Sequence, residues 1–248
     1  MSGHSKWSQI KRKKAVVDSK RGQMFTRLIK EITIAARLGG PDIDGNARLR
    51  LAVERARKSS MPNDNIKRAI SRGAGSEGGA GFEELTYEVY GPGGVAIIIE
   101  AATDNRNRTI GELRHILGKY NATLGDTGSV GWMFSKRGII LVPRAGHDED
   151  ELLGVVLEAG AEDLKTDDPD YFEIQTSPEE FEAVLKALAA RNIPVEEDKV
   201  GLVASNLVNV EGADAEKLIK LLEAIEDNED VQNVYSNGNF SAVIPNGA

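Results

Sequence analysis

The sequence predicts an α+β protein of three domains: an N-terminal three-helix bundle followed by two α/β domains, the last ferredoxin-like and inserted in the middle one. Three observations predict this class. The chain has 248 residues, more than most single domains hold. Its apolar periodicity changes from helical to alternating after a glycine-rich segment at 73–81. The elements between residues 137 and 205 follow the order βαββαβ, which is typical of ferredoxin-like domains.

The bundle is predicted over residues 22–78. Apolar residues recur there at helical spacing in three segments, Gln23 to Leu38, Asn46 to Ser59 and a segment that opens near Pro62. Gly39 and Gly73 end the first and third helices, because glycine takes the left-handed conformation that closes a helix. Three short helices joined by short loops favour a small bundle.

Alternating apolar residues predict the strands of the middle domain: Phe82 to Tyr90, Val95 to Ala102 and Ser129 to Phe134. Thr109 and Glu112 form a capping-box pattern that predicts a helix between the last two. This sheet is incomplete without the helix at 213–225 and the strand at 231–235. We therefore predict a discontinuous domain, 82–136 plus 206–244, and an inserted domain at 137–205.

The inserted domain is predicted from its own elements. Its strands are Gly138 to Val142, Ala161 to Thr166, Tyr171 to Thr176 and an extended segment from Ile193 to Ala204. Its helices are Glu149 to Glu158 and a second helix that opens at Ser177 and ends near Arg191.

Charge is distributed very unevenly along the chain. Residues 1–80 hold 18 basic and 7 acidic residues, residues 81–143 hold 6 and 7, and residues 144–248 hold 7 and 25. The net charge of −8 is therefore the sum of +11 over residues 1–80, the front end, −1 over residues 81–143 and −18 over residues 144–248. A polarity of this size points to a polyanion as the partner of the front end.

The first 21 residues are predicted to be a mobile basic arm, because they have too few apolar residues to fold alone. We expect the arm and the adjoining bundle to bind phosphates, with Trp7 able to stack on a base. The expected nucleic-acid-binding residues are Lys6, Trp7, Lys11, Arg12, Lys13, Lys14, Lys20, Arg21, Arg27, Lys30 and Arg55. The plainer alternative is a solvated tail or a localisation signal.

A second basic element joins a predicted strand to a helix N-terminus. It is a candidate phosphate-binding loop that consists of Asn105, Arg106, Asn107, Arg108 and Thr109. Two guanidinium groups beside free helix amides could hold a phosphate. The asparagines could equally serve only to shape the loop, and the sequence leaves both interpretations open.

The sequence offers little for catalysis, metals or cofactors. The chain has no cysteine, and its three histidines lack a second ligand at helical spacing. Two GxGxx patterns, at 73–78 and 91–96, do not lie between a strand and a helix, as a dinucleotide site requires. We expect no catalytic residue, no cofactor and no metal.

The longest apolar run, Val95 to Ile99, is too short to span a bilayer, so we expect a cytoplasmic protein without a membrane partner.

Several motifs resemble the YebC/PmpR family, which also contains a mitochondrial translational activator of cytochrome c oxidase. They are Gly3-His4-Ser5-Lys6-Trp7, Ile10-Lys11, Asp18 to Phe25, and Tyr87 to Thr109 with its GPGG and TDNRNRT segments. The resemblance covers essentially the whole chain. It implies the same three-domain layout and no enzymatic activity.

The resemblance leaves two functions open. Bacterial members are usually described as DNA-binding transcriptional regulators. The mitochondrial relative implies a ribosome-associated translation factor that binds rRNA and assists the synthesis of difficult nascent chains. A small-ligand protein that uses the cleft between domains is a remote alternative. Nucleic acid is the expected partner, and a monomer is slightly favoured.

Overall fold

A computed structural model describes residues 20–75 and 81–240, including all side chains except those of Lys20 and Arg21. It confirms the predicted α+β class, with an N-terminal helical domain followed by two sheet-containing domains. The predicted basic arm spans residues 1–21, and its last two residues are instead the start of the first helix. Its residues 1–19 lie outside the described residues. So do residues 76–80 and 241–248.

The helical domain consists of α1 (Lys20–Gly39), α2 (Ala47–Lys58) and α3 (Asn63–Gly73). Their apolar stripes meet in one core. Asn46 begins α2 because its side-chain oxygen accepts a hydrogen bond from the Leu49 amide at 3.1 Å. The same side chain donates to the carbonyls of Ala35 and Gly40 at 2.8 and 2.9 Å. Asn46 thereby ties the start of α2 to the end of α1.

Ten strands and four further helices follow within the described ranges. The strands are β1 (Glu83–Tyr90), β2 (Ala96–Thr103), β3 (Thr123–Leu124), β4 (Phe134–Pro143), β5 (Ala161–Lys165), β6 (Tyr171–Thr176), β7 (Glu197–Ala204), β8 (Val208–Asn209), β9 (Val231–Ser236) and β10 (Gly238–Asn239). The helices are α4 (Arg106–Lys119), α5 (Glu149–Glu158), α6 (Phe181–Ala190) and α7 (Gly212–Glu226).

The first sheet has the order β3-β1-β2-β9, and every neighbouring pair in it is antiparallel. One strand of this sheet, β9, comes from beyond the second sheet in the sequence. Helices α4 and α7 cover one face, where Val89, Ile97, Leu113 and Leu221 are fully buried. The middle domain is therefore assembled from two separated segments of the chain.

The second sheet has the order β5-β6-β4-β7 and is also antiparallel. Together with α5 and α6 this is the ferredoxin-like arrangement. Its core contains Val142, Leu152, Phe172, Ile174 and Val184, all on or under the two helices. The inserted position of this domain follows from the strand order of the two sheets.

Two apolar contacts join the domains. Ile34, Phe82 and Ala102 form a small cluster between the helical domain and the first sheet. A larger cluster, which includes Phe134 and Tyr235, joins the first sheet to the ferredoxin-like domain. Burying these side chains holds the three domains together at two separate places.

The second helix of the inserted domain begins at Phe181 and not at Ser177. Two predicted features of the middle domain are also wrong. The segment from Ser129 to Phe134 is not a strand: it contains a 3₁₀ turn at Gly131–Met133, and β4 begins only at Phe134. The capping box at Thr109 is absent, because α4 begins earlier and Asn105 caps it. Both segments also contact a carboxylate that is distant in the sequence, described below.

Glycine at position 73 allows α1 and α3 to approach closely. A Cβ atom placed there would lie 2.3 Å from the carbonyl oxygen of Thr33, a backbone atom that cannot rotate away. We predict that Gly73→Ala destabilises the helical domain by about 1–3 kcal/mol and lowers the midpoint of thermal melting followed by far-ultraviolet circular dichroism.

Gly111→Ala is the matched control, since Gly111 lies within α4 and its Cβ would meet no atom within 4 Å. This substitution should leave the midpoint unchanged or raise it, because alanine is the better helix former. An equal response of the two variants would contradict the close approach.

Candidate nucleic-acid interface

The predicted binding residues fall into three groups. Six of them, Lys6, Trp7, Lys11, Arg12, Lys13 and Lys14, lie outside the described residues. Lys20 and Arg21 lie in the first turn of α1, and their side chains are not described. Arg27, Lys30 and Arg55 belong to the helical domain, where the structure gives each of them a partner within the chain.

Lys30 is buried between the helical and middle domains. Its ammonium group lies 2.7 Å from Asp230 Oδ1 and 2.8 Å from the carbonyl oxygen of Glu229. Only 7% of the Lys30 side chain and 5% of the Asp230 side chain are exposed. Lys30 is therefore an interdomain contact and is out of reach of an external phosphate.

Arg27 and Arg55 are also engaged. Arg27 donates to the carbonyl of Glu226 at the C-terminal end of α7, where a cation is favoured by the helix dipole. Burial lowers the pKa of Arg27, while nearby carboxylates act in the opposite direction. Arg55 lies 3.6 Å from Glu31 of α1. The cations chosen from the sequence thus include several that hold the protein together.

Asp230 is the centre of a hydrogen-bond cluster that joins the helical domain to the start of α4. Besides Lys30, it accepts hydrogen bonds from Thr109 Oγ1 at 2.7 Å, from the Arg108 guanidinium at 2.9 Å and from Thr103 Oγ1 at 3.2 Å. Burial acts to raise the pKa of Asp230, but the hydrogen bonds and the charge of Lys30 outweigh it and lower the pKa from 3.8 to about 2.

The candidate phosphate-binding loop surrounds this carboxylate. Asn105 caps α4 by accepting from the Arg108 amide at 3.1 Å, and Arg108 and Thr109 turn their side-chain donors to Asp230. Two of the loop's side-chain donors, those of Arg108 and Thr109, are therefore engaged by Asp230 within the protein. Arg106 and Asn107 remain exposed at the surface of the loop.

The helical domain has other cations at its surface. Arg50, Arg57, Lys67 and Arg68, which we call the outer cations, are exposed and form no ion pair with a carboxylate in the described parts of the chain. The residues predicted from the sequence do not include them, although the prediction extends the binding surface to the bundle as a whole. The signal was present, because Arg50 and Arg57 lie seven residues apart on α2 and so share one face of the helix, beside the apolar stripe.

A second buried carboxylate shapes the loop before β4. Glu88 accepts hydrogen bonds from the backbone amides of Gly128, Val130 and Gly131 at 2.6, 2.6 and 2.7 Å. Burial acts to raise the pKa of Glu88, but these amides outweigh it and the pKa is lowered overall. Three amides that converge on one carboxylate form a nest, which fixes the path of residues 128–131.

A cleft of about 530 Å³ lies between the helical and middle domains, lined by residues that include Thr26, Asp104, Glu112 and Asp227. Its most buried carboxylate, Asp230, is held ionised by its partners and is not available as a proton donor near neutral pH.

Among residues 20–75 and 81–240, no three acidic or histidine side chains are grouped so that they could hold a metal ion. No helix in these ranges is long and apolar enough to cross a membrane.

The Asp230 cluster predicts a specific dependence of stability on pH. The folded-state pKa lies below the unfolded value, so the ionised carboxylate contributes about 2 kcal/mol above pH ~4, and this contribution is lost as the pH falls towards 2. We predict that Asp230→Asn lowers the urea midpoint at pH 7 and that its difference from the wild type shrinks below pH ~4.

The control for this experiment is Glu229→Gln, an exposed carboxylate on the same loop. It should leave the free energy of unfolding within about 0.5 kcal/mol of the wild type at each pH. A difference between Asp230→Asn and the wild type that stays constant down to pH ~3 would contradict the role of the charge.

The Glu88 nest predicts local protection of the loop. In Glu88→Gln the three amides lose a charged acceptor, so the backbone at Gly128, Val130 and Gly131 should exchange its hydrogens for deuterium faster. Hydrogen exchange read by NMR or mass spectrometry checks this. Glu83→Gln, an exposed position on the same strand, should leave the exchange unchanged. Unaltered exchange in both variants would show that the loop does not depend on Glu88.

Comparison with known proteins places these features in a family. Residues 5–76 match the family model described as the TACO1/YebC protein N-terminal domain, and residues 82–238 match the model of the TACO1/YebC second and third domain. The chain is 43% identical to a conserved hypothetical protein of known crystal structure, Aq1575 from Aquifex aeolicus. The two superpose with a TM-score of 0.86 over 97% of this chain and 100% of that one.

Similar sequences carry regulatory names. A probable transcriptional regulatory protein from Chloroherpeton thalassium is 55% identical over 241 residues, 97% of this chain and 96% of that protein. One of the same name from Desulforamulus reducens is 54% identical over 239 residues, 96% of this chain and 98% of that protein. These matches cover both the helical domain and the two sheet domains and confirm the resemblance seen in the motifs: the chain belongs to the TACO1/YebC family.

Proposed function

We propose that this protein is a non-enzymatic, cytoplasmic regulator of gene expression that binds nucleic acid through its N-terminal end. The observation that carries the proposal is the outer cation set, which no carboxylate of the described residues neutralises. Residues 20–75 hold 13 basic and 5 acidic residues. Five more basic residues lie before them in the predicted arm.

The electrostatic argument has two parts. Cations of the helical domain that face the rest of the protein are paired, as Lys30 is with Asp230 and Arg48 with Glu84. The positive charge of the outer cations is not neutralised by a carboxylate of the described residues, so these side chains attract phosphates. Binding then releases the counterions of those phosphates. The acidic residues at 144–248 repel the same polymer, so they favour docking through the opposite end of the molecule.

The names of the relatives support DNA as the first candidate partner, since they are called probable transcriptional regulatory proteins. This function requires a preferred DNA site. Specific binding should exceed non-specific binding by about 10³-fold or more.

A ribosome-associated translation factor is the second candidate. Arg68 donates to the side-chain oxygen of Asn65 at 2.7 Å, so these two side chains of base-reading type on α3 engage each other. The remaining cations would contact phosphates. Phosphate contacts recognise the shape of the nucleic-acid backbone and not the base sequence. That mode of recognition suits structured rRNA.

We predict that changing Lys11, Arg12, Lys13 and Lys14 together to alanine weakens binding to all nucleic-acid sequences alike. The slope of log affinity against log salt should shrink by about 0.7–0.9 for each lost phosphate contact. Arg57→Ala with Lys67→Ala should produce a smaller change in the same direction. Fluorescence anisotropy with labelled duplex DNA and structured RNA measures both.

Lys186, Lys217 and Lys220 changed to alanine are the matched control, because they remove exposed cations from the acidic half of the chain. They should leave affinity unchanged or improve it. If they weaken binding as much as the arm variant does, the N-terminal end is not the binding surface.

A second measurement separates the two candidate partners. A DNA regulator enriches a defined motif when the wild-type protein selects from random duplexes. A translation factor enriches no motif but sediments with ribosomal particles at moderate salt, and loses them when residues 1–19 are deleted. Failure of both tests would exclude both candidates.

A further inference from the structure

Two aromatic side chains lie exposed beside the Glu88 nest. Trp132 is 69% exposed and Tyr90 is 44% exposed, although large aromatic residues are usually well buried. Trp132 belongs to the 3₁₀ turn that follows the nest, and Tyr90 ends β1. We call these two residues the aromatic shelf.

The polar groups of the shelf are turned inward to a shared acceptor. Trp132 Nε1 donates to the carbonyl oxygen of Ser129 at 3.2 Å, and the Tyr90 hydroxyl lies 3.5 Å from the same oxygen. The ring N–H of Trp132 and the hydroxyl of Tyr90 are directed to the protein, while a large part of each side chain is exposed to solvent. A ligand of this surface would be bound by stacking.

The nest makes the shelf a preformed surface. Ser129, the shared acceptor, lies between Gly128 and Val130, whose amides are both fixed by the Glu88 carboxylate. Tyr90 is held by pairing with Ala96 in β2 and Thr123 in β3. Two rings fixed in advance lose little conformational freedom when a flat ligand stacks on them.

We propose that the aromatic shelf binds an unpaired nucleobase of the nucleic acid that the helical domain and its arm hold by their phosphates. This inference rests on the proposed function. A base has the flat π-face that such a surface accepts, and stacking of this kind tolerates any base. A protein partner fits less well, because protein docking uses apolar patches of several hundred Å², whereas the shelf is bordered by exposed polar residues, Thr123, Asp126 and Thr127.

The charge around the shelf is consistent with a surface that binds a base while other residues bind the phosphates. Residues 123–132 contain one charged side chain, Asp126, and no cation. The shelf therefore has no group to attract a phosphate and supplies contact only to the base. Affinity for the backbone has to come from the cationic end of the chain.

Tryptophan fluorescence tests the proposal directly, because the chain has two tryptophans, Trp7 and Trp132. In a Trp7→Phe protein all tryptophan emission comes from the shelf. The probe is a short single-stranded oligouridine, and the control is an abasic strand of the same length, which has the phosphates without the bases. Anisotropy of an end-labelled strand reports binding of either one independently.

We expect oligouridine to quench Trp132 emission as it binds and the abasic strand to bind without quenching. Binding of oligouridine without quenching would overturn the stacking proposal while leaving the proposed function intact. If the protein binds neither of these strands and also neither duplex DNA nor structured RNA, both the proposed function and this inference are overturned.

Affinity gives a second, independent readout in the otherwise wild-type chain. Trp132→Ala should weaken oligouridine binding about 10-fold, Trp132→Phe should restore most of the loss, and neither should change the affinity for the abasic strand. Because Trp132 is exposed, both variants should retain the wild-type circular dichroism spectrum and melting midpoint. Equal affinities of all three proteins for oligouridine would overturn the proposal.

Discussion

The ion pair between Lys30 and Asp230 is the contact on which the arrangement of the domains depends. It joins α1 to the loop before β9, and the same carboxylate is bonded to Arg108 and Thr109 at the start of α4. A buried charge is tolerated only with such partners, and removing one of them leaves the other uncompensated. Asp230 therefore joins three segments that are far apart in the sequence, around residues 30, 108 and 230. It acts together with the apolar cluster of Ile34, Phe82 and Ala102 in placing the helical domain.

The same contact divides the cations of the helical domain by role. Lys30, Arg27 and Arg48 face acceptors of the middle domain and stabilise the interface. The outer cations face solvent, and they are the ones that a polyanion can reach. Basic residues counted along the sequence therefore overstate the charge available for binding, and the internal acceptors show which of them remain free.

Local patterns predicted much of the fold. Helix α5 and strand β6 have the bounds that the sequence indicates, because Asp148 caps the helix and alternation marks the strand. The wrong predictions involve residues that are close only in space. Thr109 and Asp230 are 121 residues apart, and Glu88 and Gly128 are 40 apart. No local pattern could therefore show that Thr109 is bonded to Asp230 or that Glu88 fixes the loop around Ser129.

Ultraviolet crosslinking in cells, followed by mass spectrometry of the crosslinked peptides and sequencing of the attached nucleic acid, tests the central claim most directly. The account predicts crosslinked peptides from residues 1–75, with the peptide that contains Trp132 as a further site on unpaired bases. Crosslinks confined to the acidic residues at 144–248, or nucleic acid recovered no better than from an uncrosslinked sample, would contradict it.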